Sequence, residues 1–306
     1  MKVLVATQKP FAPVAVEGIR KIVTEAGYDF ALLEKYAGEA DLVAAVADAD
    51  ALIVRSDKVT AAVVAAAPKL RIVVRAGAGY DNLDLAACSA RGVVAMNTPG
   101  QNSNAVAELA IAMMIYMSRG QFTPSTGSEI NGRTLGVQAF GNVGRLVARK
   151  AEALGMKVLA TDPFLSPEQI REGGAEPVES VDELYSRSDY VSVHIPATPQ
   201  TVGSIGRELI CRMPENAVLV NTARKEVIDE AGLEQALEER PDIKYVTDVA
   251  PDNYAGLREK FGLRVFATPK KMGAQTAEAN INAGLAAARQ IVAYFENGDE
   301  KYRLNK

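Results

Sequence analysis

The 306-residue sequence has no tryptophan, a single histidine (His194) and only two cysteines (Cys88 and Cys211). A lone imidazole weakens any zinc centre or histidine-centred triad. The cysteines lie far apart in helix-like contexts and read as buried free thiols, so neither a disulfide nor a metal site is expected. No apolar run is long enough to span a bilayer, and the start Met-Lys-Val-Leu-Val has the pattern of a first strand rather than of a signal peptide. A cytoplasmic protein without a membrane partner is therefore expected. Basic runs are missing too, and a net charge of −4 leaves no case for a nucleic-acid partner.

What the chain does have is alternation. Apolar strands are expected at 2–6, 30–33, 51–54, 71–75 and 93–96, with helical runs at 14–25, 41–47, 61–67 and 83–90 between them. A long apolar helix over 105–117 follows, in which Met113, Met114 and Met117 read as core. A second series of six strands is expected at 135–140, 157–161, 190–194, 217–220, 244–249 and 264–267. An Ala-rich helix from about 276 to 295 comes too late for a new domain and should pack back onto the first. This grammar is that of an α/β chain with doubly wound parallel sheets, and its length favours two domains.

Arg133 to Pro163 is the most informative stretch. A strand enters the turn Ala139-Phe-Gly-Asn-Val-Gly144, a helix follows, and a second strand ends at Asp162. Such a βαβ unit suits a dinucleotide. Gly141 lets the backbone approach a pyrophosphate, Gly144 lets helix and strand pack closely, and Asn142 and Val143 open the helix whose free N–H groups face the anion. Asp162 can accept both ribose hydroxyls and repel a 2′-phosphate, which favours NAD over NADP. The first Gly of the G-x-G-x-x-G pattern is replaced by Ala139, a single methyl group that a small shift of the turn should accommodate.

Other candidates stand at the C-terminal ends of strands, the edge where α/β proteins bind ligands. Arg224 could fork onto a carboxylate and polarise a carbonyl. Asp248 could hold a nicotinamide amide or a loop N–H. Lys270 and Lys271 occupy a further turn of this kind. His194 is read as a turn-fixing or cofactor-side residue rather than a catalytic one. Nearer the N-terminus, Arg55 and Arg75 each end a strand, with Gly77 and Gly79 freeing backbone N–H groups nearby. Two guanidiniums and a nest of amides suit a doubly charged small molecule such as a phosphorylated acid.

Taken together, the segments Leu52-Ile-Val-Arg-Ser, Val73-Val-Arg-Ala-Gly-Ala-Gly-Tyr-Asp-Asn, Met96-Asn-Thr-Pro with Asn102-Ser103, Ser192-Val-His-Ile-Pro and Val220-Asn-Thr-Ala-Arg resemble the D-isomer-specific 2-hydroxy acid dehydrogenases. Within that family the similarity is greatest to the branch acting on 3-phosphoglycerate. The resemblance implies two Rossmann-like domains: a discontinuous substrate domain, 1–97 with 276–306, and an NAD-binding domain, 98–275. It implies Arg224 as the substrate-binding catalytic arginine, Asp162 as the ribose ligand and Asp248 as a nicotinamide contact, with Thr222 and Ala223 beside the cofactor. Arg55, Ser56, Arg75, Ala76, Gly77 and Asn102 fall where that branch holds the substrate's phosphate and carboxylate. A homodimer is the family's habit. A glyoxylate or hydroxypyruvate reductase, and a non-catalytic NAD(H) sensor, remain alternatives on the same fold.

The chain departs from the family pattern in places. Where the family has Pro-His-x-Gly, this chain has Pro269-Lys-Lys-Met-Gly273, one residue longer, so that Lys270 or Lys271 replaces the acid/base histidine. The supporting glutamate falls near Asn253, with Asp252 beside it. A lysine acting as a base needs desolvation and a neighbouring cation such as Arg224 to lower its pKa, so a lost glutamate and a gained lysine are mutually consistent. The segment from Gln121 to Ile130 is shorter than the family's interface loop, and no serine-sensing module is expected after the short tail.

Overall fold

The computed structural model describes residues 1–305. The chain folds as two compact units, Met1–Asn102 with Gln275–Lys306, and Ser103–Ala274. In the first unit five parallel strands, β1 (Lys2–Thr7), β2 (Asp29–Glu34), β3 (Ala51–Val54), β4 (Ile72–Arg75) and β5 (Val94–Asn97), lie in the order β2-β1-β3-β4-β5. The two-residue period of a strand sends Val3, Val5, Ile53 and Val74 to one face. There they meet Ile19 of the helix Pro13–Glu25 and Ala287 and Ile291 of the helix Ala277–Asn297. Leu4, Leu52 and Val73 point the other way, onto Leu42, Val63, Val64 and Cys88. Because both faces are covered, β3 is apolar and buried at every position. The final helix packs within the first unit.

The second unit carries β6 (Thr134–Gln138), β7 (Lys157–Thr161), β8 (Glu176–Pro177), β9 (Tyr190–Val193), β10 (Val218–Asn221), β11 (Lys244–Thr247) and β12 (Val265–Ala267), in the order β12-β11-β10-β9-β6-β7-β8. Every strand pair is again parallel. Leu135 and Val137 of β6 face the buried Met113, Met114 and Met117 of the helix Ser103–Ser118, so the methionines are core as read. This sheet has seven strands, not six. The extra one, β8, pairs only two residues at the edge beside β7. Two residues cannot display a period, and proline is tolerated only at such an edge.

The helices Pro167–Glu172 and Tyr254–Phe261 also escaped the pattern reading, both being short and the first mostly polar. His194, expected as the last residue of its strand, lies one position beyond β9. Cys88 is a buried free thiol, whereas Cys211, at the end of the five-residue helix Arg207–Cys211, is free but only half-buried. Among the described residues no helix is long and apolar enough to cross a membrane. Reversal of strand order makes a crevice at the carboxyl ends of two central strands. That point falls between β1 and β3 in the first unit, and between β6 and β9 in the second.

Candidate active site

The turn after β6 lies at the switch point of the second sheet. Gly141 precedes the helix Asn142–Ala153, which has no side-chain cap at its N-terminus. A Cβ at Gly141 would have no heavy atom within 4 Å, so its backbone is open to close approach. Gly144 is the opposite case, since a Cβ there would meet the Ala139 carbonyl oxygen at 2.3 Å and Val137 Cγ1 at 3.0 Å. Only glycine lets the helix sit this close to the strand. Asp162, just after β7, is fixed by two backbone donors: Phe140 N–H reaches Oδ2 at 2.8 Å and Phe164 N–H reaches Oδ1 at 2.9 Å. The carboxylate is thereby tied to the glycine turn itself. A cavity of about 750 Å³ opens here, lined among others by Gln138, Ala139, Asp162, Ile195, Thr201 and Leu209.

Ala139 corrects the expectation that the turn would shift to suit a methyl group. It keeps the left-handed conformation, φ +74°, with its N–H on the Thr161 carbonyl at 3.0 Å. The geometry that favours glycine is retained and the alanine is strained, by about 1 kcal/mol. Replacing Ala139 by glycine should relieve that strain, with part of the gain offset by the greater entropy of the unfolded chain. We expect a net stabilisation of about 0.5 kcal/mol in urea unfolding, and a loss of stability would contradict this account.

His194 follows β9, with its N–H on the Gln138 carbonyl at 2.9 Å and its Nε2 2.9 Å from Ser192 Oγ. Burial pushes its pKa down to about 4, so the ring is neutral at ordinary pH. Gln138, which sequence reading did not single out, is buried and accepts the Tyr185 hydroxyl at 2.9 Å. After β10, buried Asn221 clamps the next turn from inside: its Oδ1 accepts Ala223 N–H and its Nδ2 donates to the Arg224 carbonyl, both at 2.9 Å. The side chain of Arg224 emerges exposed, with Nη1 on the Ala223 carbonyl at 2.9 Å. Thr222 lies beside it with a buried hydroxyl that has no partner among the described residues. Such a group carries a penalty of about 1–3 kcal/mol that a ligand hydrogen bond would relieve.

Asp248, 2% exposed, follows β11. Its Oδ1 accepts the Thr268 hydroxyl and Met272 N–H, and its Oδ2 accepts Gly273 N–H, each at 2.8 Å. Of the two roles open to it, holding a loop N–H is the one displayed: it pins both ends of the turn that carries Lys270 and Lys271. Those lysines line a cavity of about 280 Å³ with Arg224 and Asp248. Both lysines are exposed, not desolvated as expected, because a turn at a sheet edge leaves long side chains on its outer surface. Asp252 does not take the missing glutamate's place beside them. It is exposed and pairs with Lys225, Oδ1 to Nζ 2.5 Å.

The first unit gathers a second constellation after β3 and β4. The Arg75 Nε donates to the Arg55 carbonyl at 2.9 Å, and a Cβ at Gly77 would fall 1.6 Å from Arg75 Nη1, so only glycine lets this guanidinium cross the backbone there. Burial lowers the pKa of Arg75, and the charge of Arg55 lowers it further, so two cations stand close together. Ser56 is exposed and Asn102 half-buried on the same unit. The expected nest of amides is smaller than the sequence suggested. Ala76 N–H extends the sheet to the Val54 carbonyl at 2.8 Å and Gly77 N–H folds back on the Arg75 carbonyl at 2.9 Å, which removes both donors. Asn280, which the sequence does not single out, accepts from Arg55 Nη2 at 2.6 Å across a separation of 225 residues.

Comparison with known proteins follows the same lines. Residues 105–269 match the family model for the NAD binding domain of D-isomer specific 2-hydroxyacid dehydrogenases. The D-3-phosphoglycerate dehydrogenase of Mycobacterium bovis is 39% identical over 264 residues, which cover 82% of this chain and 50% of that one. The protein of the same name from Rattus norvegicus is 34% identical over 287 residues, covering 89% and 54%. The chain therefore spans about half the length of these curated relatives. A solved structure of cofactor (NAD+) bound 3-phosphoglycerate dehydrogenase in Entamoeba histolytica is 47% identical, with a TM-score of 0.86, and covers 100% of this chain and 99% of that one. D-2-hydroxyisocaproate dehydrogenase shares the fold at 18% identity and a TM-score of 0.84, each chain being covered over 100% of its length. Since the matched domain takes up more than half of the chain, the protein belongs to the D-isomer specific 2-hydroxyacid dehydrogenase family.

Proposed function

We propose that the protein oxidises 3-phosphoglycerate to 3-phosphohydroxypyruvate with NAD, at the entry to serine synthesis. The observation that carries the substrate is the close pair Arg55 and Arg75. An unphosphorylated acid would leave one of these cations without a partner, whereas a phosphate matches both. Arg75, Arg55 and Ser56 take the phosphate and Asn102 belongs to the same subsite, while Ala76 and Gly77 shape its backbone without donating to the ligand, since their N–H groups are bonded within the protein. The names of the relatives at 34–47% identity support the same reaction.

The cofactor fits the second unit on four observations: the open backbone at Gly141, the uncapped helix opened by Asn142, Val143 and Gly144, the fixed carboxylate of Asp162, and the unpartnered Thr222 hydroxyl. Ala223, His194 and Asp248 border the same edge of the sheet. When bound, NAD would supply the acceptor for the hydride leaving C2 of the substrate. Arg224 grips the carboxylate and polarises the C2 oxygen, and one of Lys270 and Lys271 takes the hydroxyl proton during oxidation. A homodimer in the cytoplasm completes the proposal.

The reading is tested by following NADH oxidation with phosphohydroxypyruvate, hydroxypyruvate and glyoxylate side by side. We expect kcat/KM for the phosphorylated acid to exceed the others by about 100-fold, the scale of one charge-assisted phosphate contact. Equal rates on the three acids would assign the chain to a hydroxypyruvate or glyoxylate reductase, and no NADH loss with any of them would favour a sensor.

A further inference from the structure

Arg55 leaves β3 at the switch point of the first sheet, and its guanidinium is held on several sides. Nη1 donates to the Lys9 and Pro10 carbonyls, each at 3.0 Å, and Nη2 donates to Asn280 Oδ1 at 2.6 Å. The ring of Phe11 lies 5.1 Å from the guanidinium carbon. Asn280 is itself oriented, because its Nδ2 donates to the Thr276 carbonyl at 2.8 Å and so turns the amide oxygen toward the arginine. Among the described residues the acceptors on the Arg55 guanidinium are uncharged. Arg75 likewise has Nε on a backbone carbonyl, and the nearest carboxylates, Asp57 toward Arg55 and Asp81 toward Arg75, act through space without hydrogen-bonding either guanidinium. The neighbouring carboxylate of Asp57 is occupied by other donors: Gln8 N–H and the Tyr36 hydroxyl, both at 2.7 Å, and the backbone N–H of Arg55 at 3.4 Å.

A neutral acceptor orients a cation and leaves its charge intact, whereas a carboxylate in the same place would orient it and cancel the charge. We propose that Asn280 is a positioning residue that sets the preference for a phosphorylated substrate: it aims Arg55 while keeping the Arg55 and Arg75 pair fully charged for a dianionic phosphate monoester. The proposal rests on the reading of Arg55 and Arg75 as the phosphate subsite. Its chemistry explains why an amide serves here. Asparagine supplies the acceptor oxygen that a carboxylate would, and its second atom donates to the helix backbone instead of adding a negative charge.

The test measures kcat and KM with phosphohydroxypyruvate and with hydroxypyruvate at saturating NADH, for the full chain and for Asn280→Asp, Asn280→Ala and Arg55→Ala. Asn280→Asp keeps the shape and adds the charge, and should raise KM for the phosphorylated acid by about 30-fold or more, with kcat and the hydroxypyruvate KM changed by no more than about threefold. Asn280→Ala, which loosens Arg55 and leaves the charge, should raise the same KM by about three- to tenfold. A purely structural tie between the last helix and the sheet would shift both substrates alike and lower the melting temperature. If Arg55→Ala discriminates between the substrates and Asn280→Asp does not, the assignment of Asn280 is wrong while the subsite stands. If Arg55→Ala also affects both equally, the phosphate subsite is lost and the proposal with it.

Discussion

Replacing Arg224 by alanine is expected to lower kcat/KM for phosphohydroxypyruvate by about 1,000-fold, the combined scale of a lost bidentate carboxylate contact and a lost electrophilic donor. The buried Asn221 fixes both the N–H before Arg224 and its carbonyl, so the turn is held whatever side chain it bears. The guanidinium is exposed, and among the described residues its one hydrogen bond is to the Ala223 carbonyl. Loss of activity should therefore arrive without loss of stability, and the melting temperature of the variant should stay close to that of the parent. Arg224→Lys keeps the charge and loses the planar fork, and should recover only about tenfold of the deficit. A fall of less than tenfold in the alanine variant would remove Arg224 from its proposed role.

The second large effect concerns the lysine turn. Lys270→Ala and Lys271→Ala, made separately, should divide: one lowers kcat for phosphoglycerate oxidation by about 100- to 10,000-fold, the range of general-base catalysis, and the other stays within about fivefold. Arginine at the sensitive position should restore nothing, because it keeps the charge and cannot release its proton. Oxidation needs a neutral amine to accept the hydroxyl proton, and that is the role the sensitive alanine variant loses. His194 does not compete for it near neutrality as a charged acid, since burial pushes its pKa down to about 4. If both alanine variants turn over like the parent, no lysine is the base. Asp248 makes the comparison clean, because it holds the turn through the Thr268 hydroxyl and the N–H groups of Met272 and Gly273, none of which either substitution touches.

Much of the architecture was legible along the chain. Strands such as β3 and β10 are buried on both faces, so their runs of Val, Leu and Ile announce themselves. Gly144 and Asp162 were legible because the contacts that need them are made within one βαβ unit, among residues close in sequence. The methionine cluster followed from helical spacing alone. Each of these depends on local period or local turn chemistry, which a sequence displays directly.

Other features have no local signature. The seventh strand is two residues long, and a helix as short as Tyr254–Phe261 has only about two turns in which to show an amphipathic period. Nothing in the sequence indicates that Ala139 keeps a positive φ, that Gly77 must admit an arginine, or that Asp252 turns to Lys225 rather than to the lysine turn. Exposure of Lys270 and Lys271 depends on what surrounds their turn. By itself the sequence determined the parallel α/β layers, the dinucleotide turn with its carboxylate, and the chemical types placed at the strand ends. Only the tertiary structure decided their partners: Asp248 on the lysine turn, Asn221 beneath Arg224, and Asn280 brought to Arg55 from 225 residues away. The physical reason is that hydrophobic period and turn preference act over a few residues, while a buried donor or acceptor takes whichever group the packed core places within about 3 Å of it.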